Sequence, residues 1–168
     1  MELLLVRHAK AELREEFARS GAPDVARPLT AEGRKKMRRA GDGLTAIVPH
    51  LALIAVSPYR RAMETGEILA TAYRGPKPHP LVLLAPGNAP EELLAWLGTE
   101  TRDGVVALVG HEPDLGRFAS WLLAGPGADF APLKKGGACL IRTAPDKGAG
   151  CGTLRWLLTP SQLRALAS

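Results

Sequence analysis

The chain has 168 residues, 46% of them hydrophobic and 23% charged, enough to bury a core without disulfide or metal staples. No apolar run reaches membrane-spanning length, and charge arrives at Arg7, too early for a secretory leader. A cytoplasmic protein with no membrane partner is therefore expected. The 22 Lys and Arg against 17 Asp and Glu suit an anionic substrate or partner, while Cys139 and Cys151 lack metal-site spacing and read as reduced thiols.

Strand-like runs alternate with helix-like segments along the chain. "ELLLV" (2–6) opens it, and Leu3 to Val6 lead straight into Arg7 and His8. A helix is predicted from Thr30, with Thr30 as N-cap and Met37, Ala40, Gly41, Leu44, Ile47 and Val48 on one face; Gly33, Gly41 and Gly43 count against it. "LALIAV" (51–56) follows, then a helix starting in "SPYRRAMETGEILATAY", where Ser57 can cap and Pro58 fits the first helical position. "LVLL" (81–84) reads as a strand, "PEELLAWL" (90–97) as a helix and "GVVALVG" (104–110) as a strand; "PDLGRFASWLLAG" (113–125) repeats the proline-first helix start. "ACLIR" (138–142) and "TLRWLLT" (153–159) are the last strands, and a short helix runs over 161–166. Residues 125–135 and 145–152 read as loops, the second joining two antiparallel strands. The runs at 2–6, 51–56 and 104–110 show little polar alternation, as strands covered on both faces do. The expectation is a single domain over 1–168, a three-layer α/β/α fold with a mostly parallel central sheet.

Ligands of such sheets collect beyond the carboxyl ends of the strands. Strand one ends at Arg7-His8, strand two at Ser57-Pro58 with Arg60 and Arg61 in the next helical turn, and the fourth at Gly110-His111. Each alone is weak. "RH" after a strand is commonly a strand surfacing, helix-start arginines are commonly solvated, and a loop histidine is commonly structural. Together, beside helix N-termini, they describe a phosphoryl site. There is no Walker-type glycine loop and no obvious aspartate cluster for magnesium, so ordinary nucleotide-kinase chemistry is not supported.

"LLLVRHAKAE", "RPLTAEGR", "AVSPYRRAMETGEIL" and "LVGHEPDLGRFASWLL" resemble, in order, the histidine phosphatase superfamily (phosphoglycerate mutase-like), and more closely its short SixA-type branch of phosphohistidine phosphatases. The likeness spans residues 2 to about 142. The family's usual glycine after the first histidine is Ala9 here, as is common in that branch.

The resemblance implies a hydrolase without metal or cofactor. His8 is the nucleophile that forms a phosphohistidine intermediate, and Arg7, Arg61 and His111 bind and neutralise the phosphoryl oxygens. Arg61 is chosen over Arg60 because the family's pocket arginine directly precedes the alanine, here Ala62. A leaving alkoxide needs a proton, yet "PKPHPLVLLAPGNAP" (76–90) holds no acid; Glu12, Glu64, Glu91 and Glu92 are the remaining candidates. An imidazole already protonated on its far nitrogen leaves as a neutral base, so the missing acid favours phosphohistidine in a protein. The chain also lacks a long lid insertion, which suits a protein substrate.

The alternatives are a small-molecule phosphomonoesterase or phosphoramidase of the same fold, and a silent phosphate-binding module. "RKKMRR" (34–39) could steer an acidic phosphoprotein, but more simply is a solvated helix face. Nucleic-acid binding through that run has no supporting aromatics or motif. Oligomeric state leaves no mark in the sequence.

Overall fold

In the computed structural model, which describes residues 1–100, 103–144, 146 and 148–167, the three unalternating runs become central strands. These are β1 (Glu2–Arg7), β2 (Leu53–Val56) and β4 (Val105–Gly110). With β3 (His79–Pro80), β5 (Ala138–Arg142) and β6 (Thr153–Leu158) they form one six-stranded sheet, in the order β3-β2-β4-β1-β5-β6. The first four strands in that order are parallel; β5 and β6 extend the sheet antiparallel, as expected for a hairpin-linked pair. Of the loop expected over 145–152, Pro145 and Lys147 lie outside the described residues.

Period-two alternation explains the absence of polar residues in the central strands. Leu3, Leu5, Leu53, Ala55, Val106 and Leu108 face one core, Leu4, Val6, Ile54, Val56, Ala107 and Val109 the other. Helices α4 (Pro90–Thr99) and α5 (Asp114–Ala124) close the first core through Leu93, Leu97, Phe118 and Leu122. On the opposite face, α2 (Ala31–Ile47), α3 (Arg60–Tyr73) and α6 (Pro160–Ala165) supply Met37, Leu44, Ala62, Leu69 and Leu163. The sheet is therefore the middle of three layers. Among the described residues no helix is long and apolar enough to cross a membrane.

Thr30 caps α2 as predicted, its hydroxyl accepting from the Gly33 amide at 2.9 Å. The glycines that weaken this helix on propensity have a packing reason. A Cβ on Gly33 would collide with the Lys10 carbonyl, and one on Gly43 with the Leu163 carbonyl.

Three local expectations fail. "LVLL" is not a strand: pairing to β2 occurs at His79 and Pro80, and 82–84 is a 3₁₀ turn that leaves Val82 69% exposed. A four-residue apolar run at a sheet edge carries too little periodicity to separate strand from turn. Ser57 does not cap α3 and Pro58 is not its first residue: the helix begins at Arg60 with Tyr59 before it, and the Ser57 hydroxyl lies against His111 instead. Pro113 stands one residue ahead of α5 rather than inside it. Two elements were not foreseen, the short helix α1 (Arg14–Ala18) and a 3₁₀ turn over Asp24–Ala26.

Candidate active site

Strand register brings the candidate groups together. Arg7 pairs with Gly110 and Val56 with Val109, so β2, β4 and β1 end side by side. The chain then continues in step, with the His8 amide donating to the Gly110 carbonyl at 3.0 Å and the Ser57 amide to the Val109 carbonyl at 2.9 Å. Arg7, His8, Ser57 and His111 consequently share one sheet edge, and α3 begins over it with Arg60 and Arg61.

His8 and His111 lie with ring centroids 5.1 Å apart and planes inclined at 56°. His8, 6% exposed, donates from Nδ1 to its neighbour's carbonyl, Ala9 O, at 2.7 Å. A carbonyl can only accept, so the proton resides on Nδ1 and Nε2 keeps its lone pair. The Ala9 amide is fixed in turn by the Thr65 hydroxyl at 3.1 Å, and that hydroxyl donates to the Arg61 carbonyl at 2.7 Å. Burial above all, with His111, Arg61 and Arg7 adding positive potential, lowers the His8 pKa to about 3 against the pull of the Ala9 carbonyl. His111 is lowered to about 3 as well, by burial first and then by Arg61, with Asp24 opposing. Both imidazoles are neutral at pH 7.

Each predicted arginine is oriented by main-chain oxygen. Arg7 donates through Nη1 to the Leu133 carbonyl at 2.8 Å, and Arg61 through Nη1 to the Asp24 carbonyl at 3.0 Å, with Asp24 Oδ2 at 3.2 Å. Nε of Arg7, Nε of Arg61 and Nδ1 of His111 are buried and make no hydrogen bond within the protein. Tyr59 packs edge-on to His111 at 5.1 Å and lies beneath the Arg61 guanidinium at 4.8 Å, tying those two together. The Ser57 hydroxyl sits 2.8 Å from His111 Nε2 and accepts from the Tyr59 amide at 3.4 Å. Arg60 faces outward, paired with Glu64 at 2.9 Å.

Several participants were missed in the sequence. Asp24 links Arg61 to Arg27, whose Nε donates to Oδ1 at 2.7 Å. Glu112 accepts the Leu133 amide at 3.0 Å, so it anchors the residue whose carbonyl orients Arg7. Burial raises the Glu112 pKa despite the Leu133 amide and Arg7. Its only signal in the sequence was adjacency to His111. Of the acid candidates, Glu64 is committed to Arg34 at 2.7 Å, to Arg60 and to the Leu29 amide, and Glu12 is exposed. Glu91 and Glu92 belong to the first turn of α4. Asp114 was not considered, yet it lines a cavity of about 250 Å³ together with His111, Leu84, Asn88 and Phe118.

Residues 3–80 match the family described as the histidine phosphatase superfamily (branch 1). An uncharacterized protein of Picosynechococcus sp. is 37% identical over 145 residues, covering 85% of this chain and 86% of that one. The chain belongs to the histidine phosphatase superfamily. Phosphohistidine phosphatase SixA of Escherichia coli is 27% identical to this histidine phosphatase over 167 residues, 98% of this chain and 97% of that one. The structure of the protein histidine phosphatase SixA complexed with tungstate superposes with a TM-score of 0.81 at 25% identity, over 97% of this chain and 99% of that one. The phosphoglycerate mutase-like fold expected from the motifs is the fold observed.

Proposed function

We propose that this histidine phosphatase hydrolyses phosphohistidine in a protein through a covalent intermediate on His8. The observation that carries the proposal is the His8 tautomer: Nδ1–H bound to Ala9 O and a pKa near 3 leave Nε2 as a free base at every physiological pH. In the first step Nε2 bonds to phosphorus as the bond from phosphorus to the substrate imidazole breaks. That imidazole, protonated on its far nitrogen, departs neutral. In the second step water attacks phosphorus, the bond to Nε2 breaks, and the water's protons pass to phosphate and solvent. Arg7 and Arg61 offer their unpartnered Nε–H groups to the phosphoryl oxygens. Because Ser57 Oγ accepts from Tyr59, its own hydrogen is available for His111 Nε2, which leaves Nδ1–H of His111 as a further neutral donor.

Carboxylate placement supports the choice of substrate. Asp24 neutralises Arg61, Glu64 is ion-paired and Glu112 faces Leu133, so none of the three serves an alkoxide. The test is a comparison of kcat/KM on a phosphohistidine-bearing protein and on sugar phosphates, with an acid-labile label on His8 in rapid-quench samples. Higher efficiency on the phosphoprotein and a transient label are expected; preference for sugar phosphates by several orders of magnitude would refute the assignment.

A second reading, a small-molecule phosphomonoesterase, is favoured by one observation, the cavity that Asp114 shares with His111. If Asp114 protonates leaving alkoxides, Asp114→Asn should lower turnover of alkyl phosphates by about 10²-fold and leave phosphohistidine turnover within twofold. Equal small effects on both substrates would remove Asp114 from the chemistry.

A further inference from the structure

Outside the phosphoryl pocket, the concentration of positive charge with the clearest shape is a cleft of about 350 Å³ between the loop after β1, α2, Lys135-Gly136 and α6. Four cations ring it: Lys10, Lys36, Lys135 and Arg164. Its floor is apolar, including Met37, Ala40 and Pro160. Among the described residues only Glu32 answers this charge, bonded to Lys10 at 2.6 Å and Lys36 at 2.5 Å, while Lys135 and Arg164 make no ion pair with any of them. One carboxylate against four cations leaves a surplus of about three positive charges around one concavity, in a chain whose net charge is +5.

The cleft is coupled in space to His8. Ala9 and Lys10, the two residues after His8, form part of its wall, and the Gly136 amide donates to the carbonyls of Arg7 and His8 at 3.1 Å each. Lys135 lines the cleft, and burial first, then the positive potential of Arg7, Arg27 and Lys10, holds its ammonium below the ordinary lysine range. Of the basic run 34–39, Lys36 alone enters the cleft; Arg34 is bound to Glu64 on another side of α2.

We infer that this cleft docks an acidic segment of the phosphoprotein substrate, with its carboxylates on the lysines and Arg164 and its aliphatic stems on the Met37–Ala40–Pro160 floor. The inference rests on the phosphohistidine reading given above. Complementary charge selects acidic chains, and the apolar floor selects a peptide over an inorganic anion, which has no use for it. Long, flexible cations at a rim act on association and its salt dependence rather than on the chemical step.

The experiment compares two synthetic phosphohistidine peptides, one flanked by glutamates and one by glutamines, on the wild-type chain and on the Lys36→Glu/Arg164→Glu variant. Turnover is followed on both peptides and on p-nitrophenyl phosphate, and binding of both peptides to His8→Ala, with and without the cleft changes, is read by fluorescence polarisation. Wild type should favour the glutamate peptide by about tenfold or more in kcat/KM, with the advantage shrinking as salt rises. The double variant should lose that preference while its p-nitrophenyl phosphate turnover and melting temperature stay at wild-type values. No preference in wild type, or one that survives charge reversal, overturns the docking site. If neither peptide is turned over but polarisation still shows the charge-dependent preference, the docking site stands and the phosphohistidine reading alone fails.

Discussion

The phosphoryl pocket and the basic cleft adjoin one another and are both rich in positive charge, yet they are built in opposite ways. The Arg61 side chain is 6% exposed and pinned by the Asp24 carbonyl, whereas Lys10 and Lys36 are 53% and 52% exposed and held only by each other's counter-ion. A fixed, dehydrated cation can meet charge that develops on phosphorus without rearranging. A solvated lysine on a long stem cannot, because water screens it and its rotamers are many. In the functions proposed above, rigidity suits the pocket to the chemical step and exposure suits the cleft to encounter.

The sharpest way to break that division is His8→Ala, which should abolish turnover, leave circular dichroism unchanged and retain peptide binding in the cleft; near-normal kcat would end the covalent mechanism. Next in size, Arg61→Ala or His111→Ala should lower kcat by roughly 10²–10³, the usual loss for one preorganised donor. Glu112→Ala tests whether the pocket's rigidity comes from its surroundings. With the Leu133 amide unpaired and the Arg7 acceptor loosened, kcat should fall about tenfold, and Glu112→Gln, which can still accept that hydrogen bond, should restore it. Loss in both variants to the same degree would instead point to a need for the charge.

The smallest effect is on stability. An imidazole whose folded pKa lies far below its unfolded value near 6.5 binds fewer protons folded than unfolded between those limits. Its stabilising contribution is present above pH 6.5 and is lost as pH falls toward 3. The unfolding free energy read from urea titrations should therefore drop between pH 6.5 and 5, by up to about 1.4 kcal/mol per pH unit for each histidine. His111→Gln should flatten that slope, while Lys36→Gln in the cleft should leave it alone.

What the sequence disclosed followed the same contrast between local and distant causes. Runs such as "LLLV" and "VVALVG" are buried on both faces, so their composition alone announces central strands, and whatever follows them must emerge at one edge. Arg7, His8 and His111 were legible for that reason, whereas Arg61 was separated from Arg60 only by the family resemblance at Ala62. Asp24 was not: it precedes Arg61 by 37 residues in a loop, and only the 3₁₀ turn and the start of α3 bring them together. The acceptors that aim the arginines are main-chain oxygens at Leu133 and Asp24, and a carbonyl has no residue type to betray it. "LVLL" failed because the edge of a sheet buries too little to enforce a period. The cleft, assembled from four separated segments, left only a net positive charge and the basic run 34–39, of which Lys36 alone enters it.

The contact between Gly33 and the Lys10 carbonyl carries a lesson for anyone seeking a hardier enzyme. Replacing mid-helix glycines with alanine is a standard route to thermal tolerance, gaining up to about 1 kcal/mol per site. In α2 that recipe would drive a methyl group into the peptide two residues beyond His8. The helix and the loop after β1 are geared together, so alanine at this position would cost stability and push on the segment that follows His8.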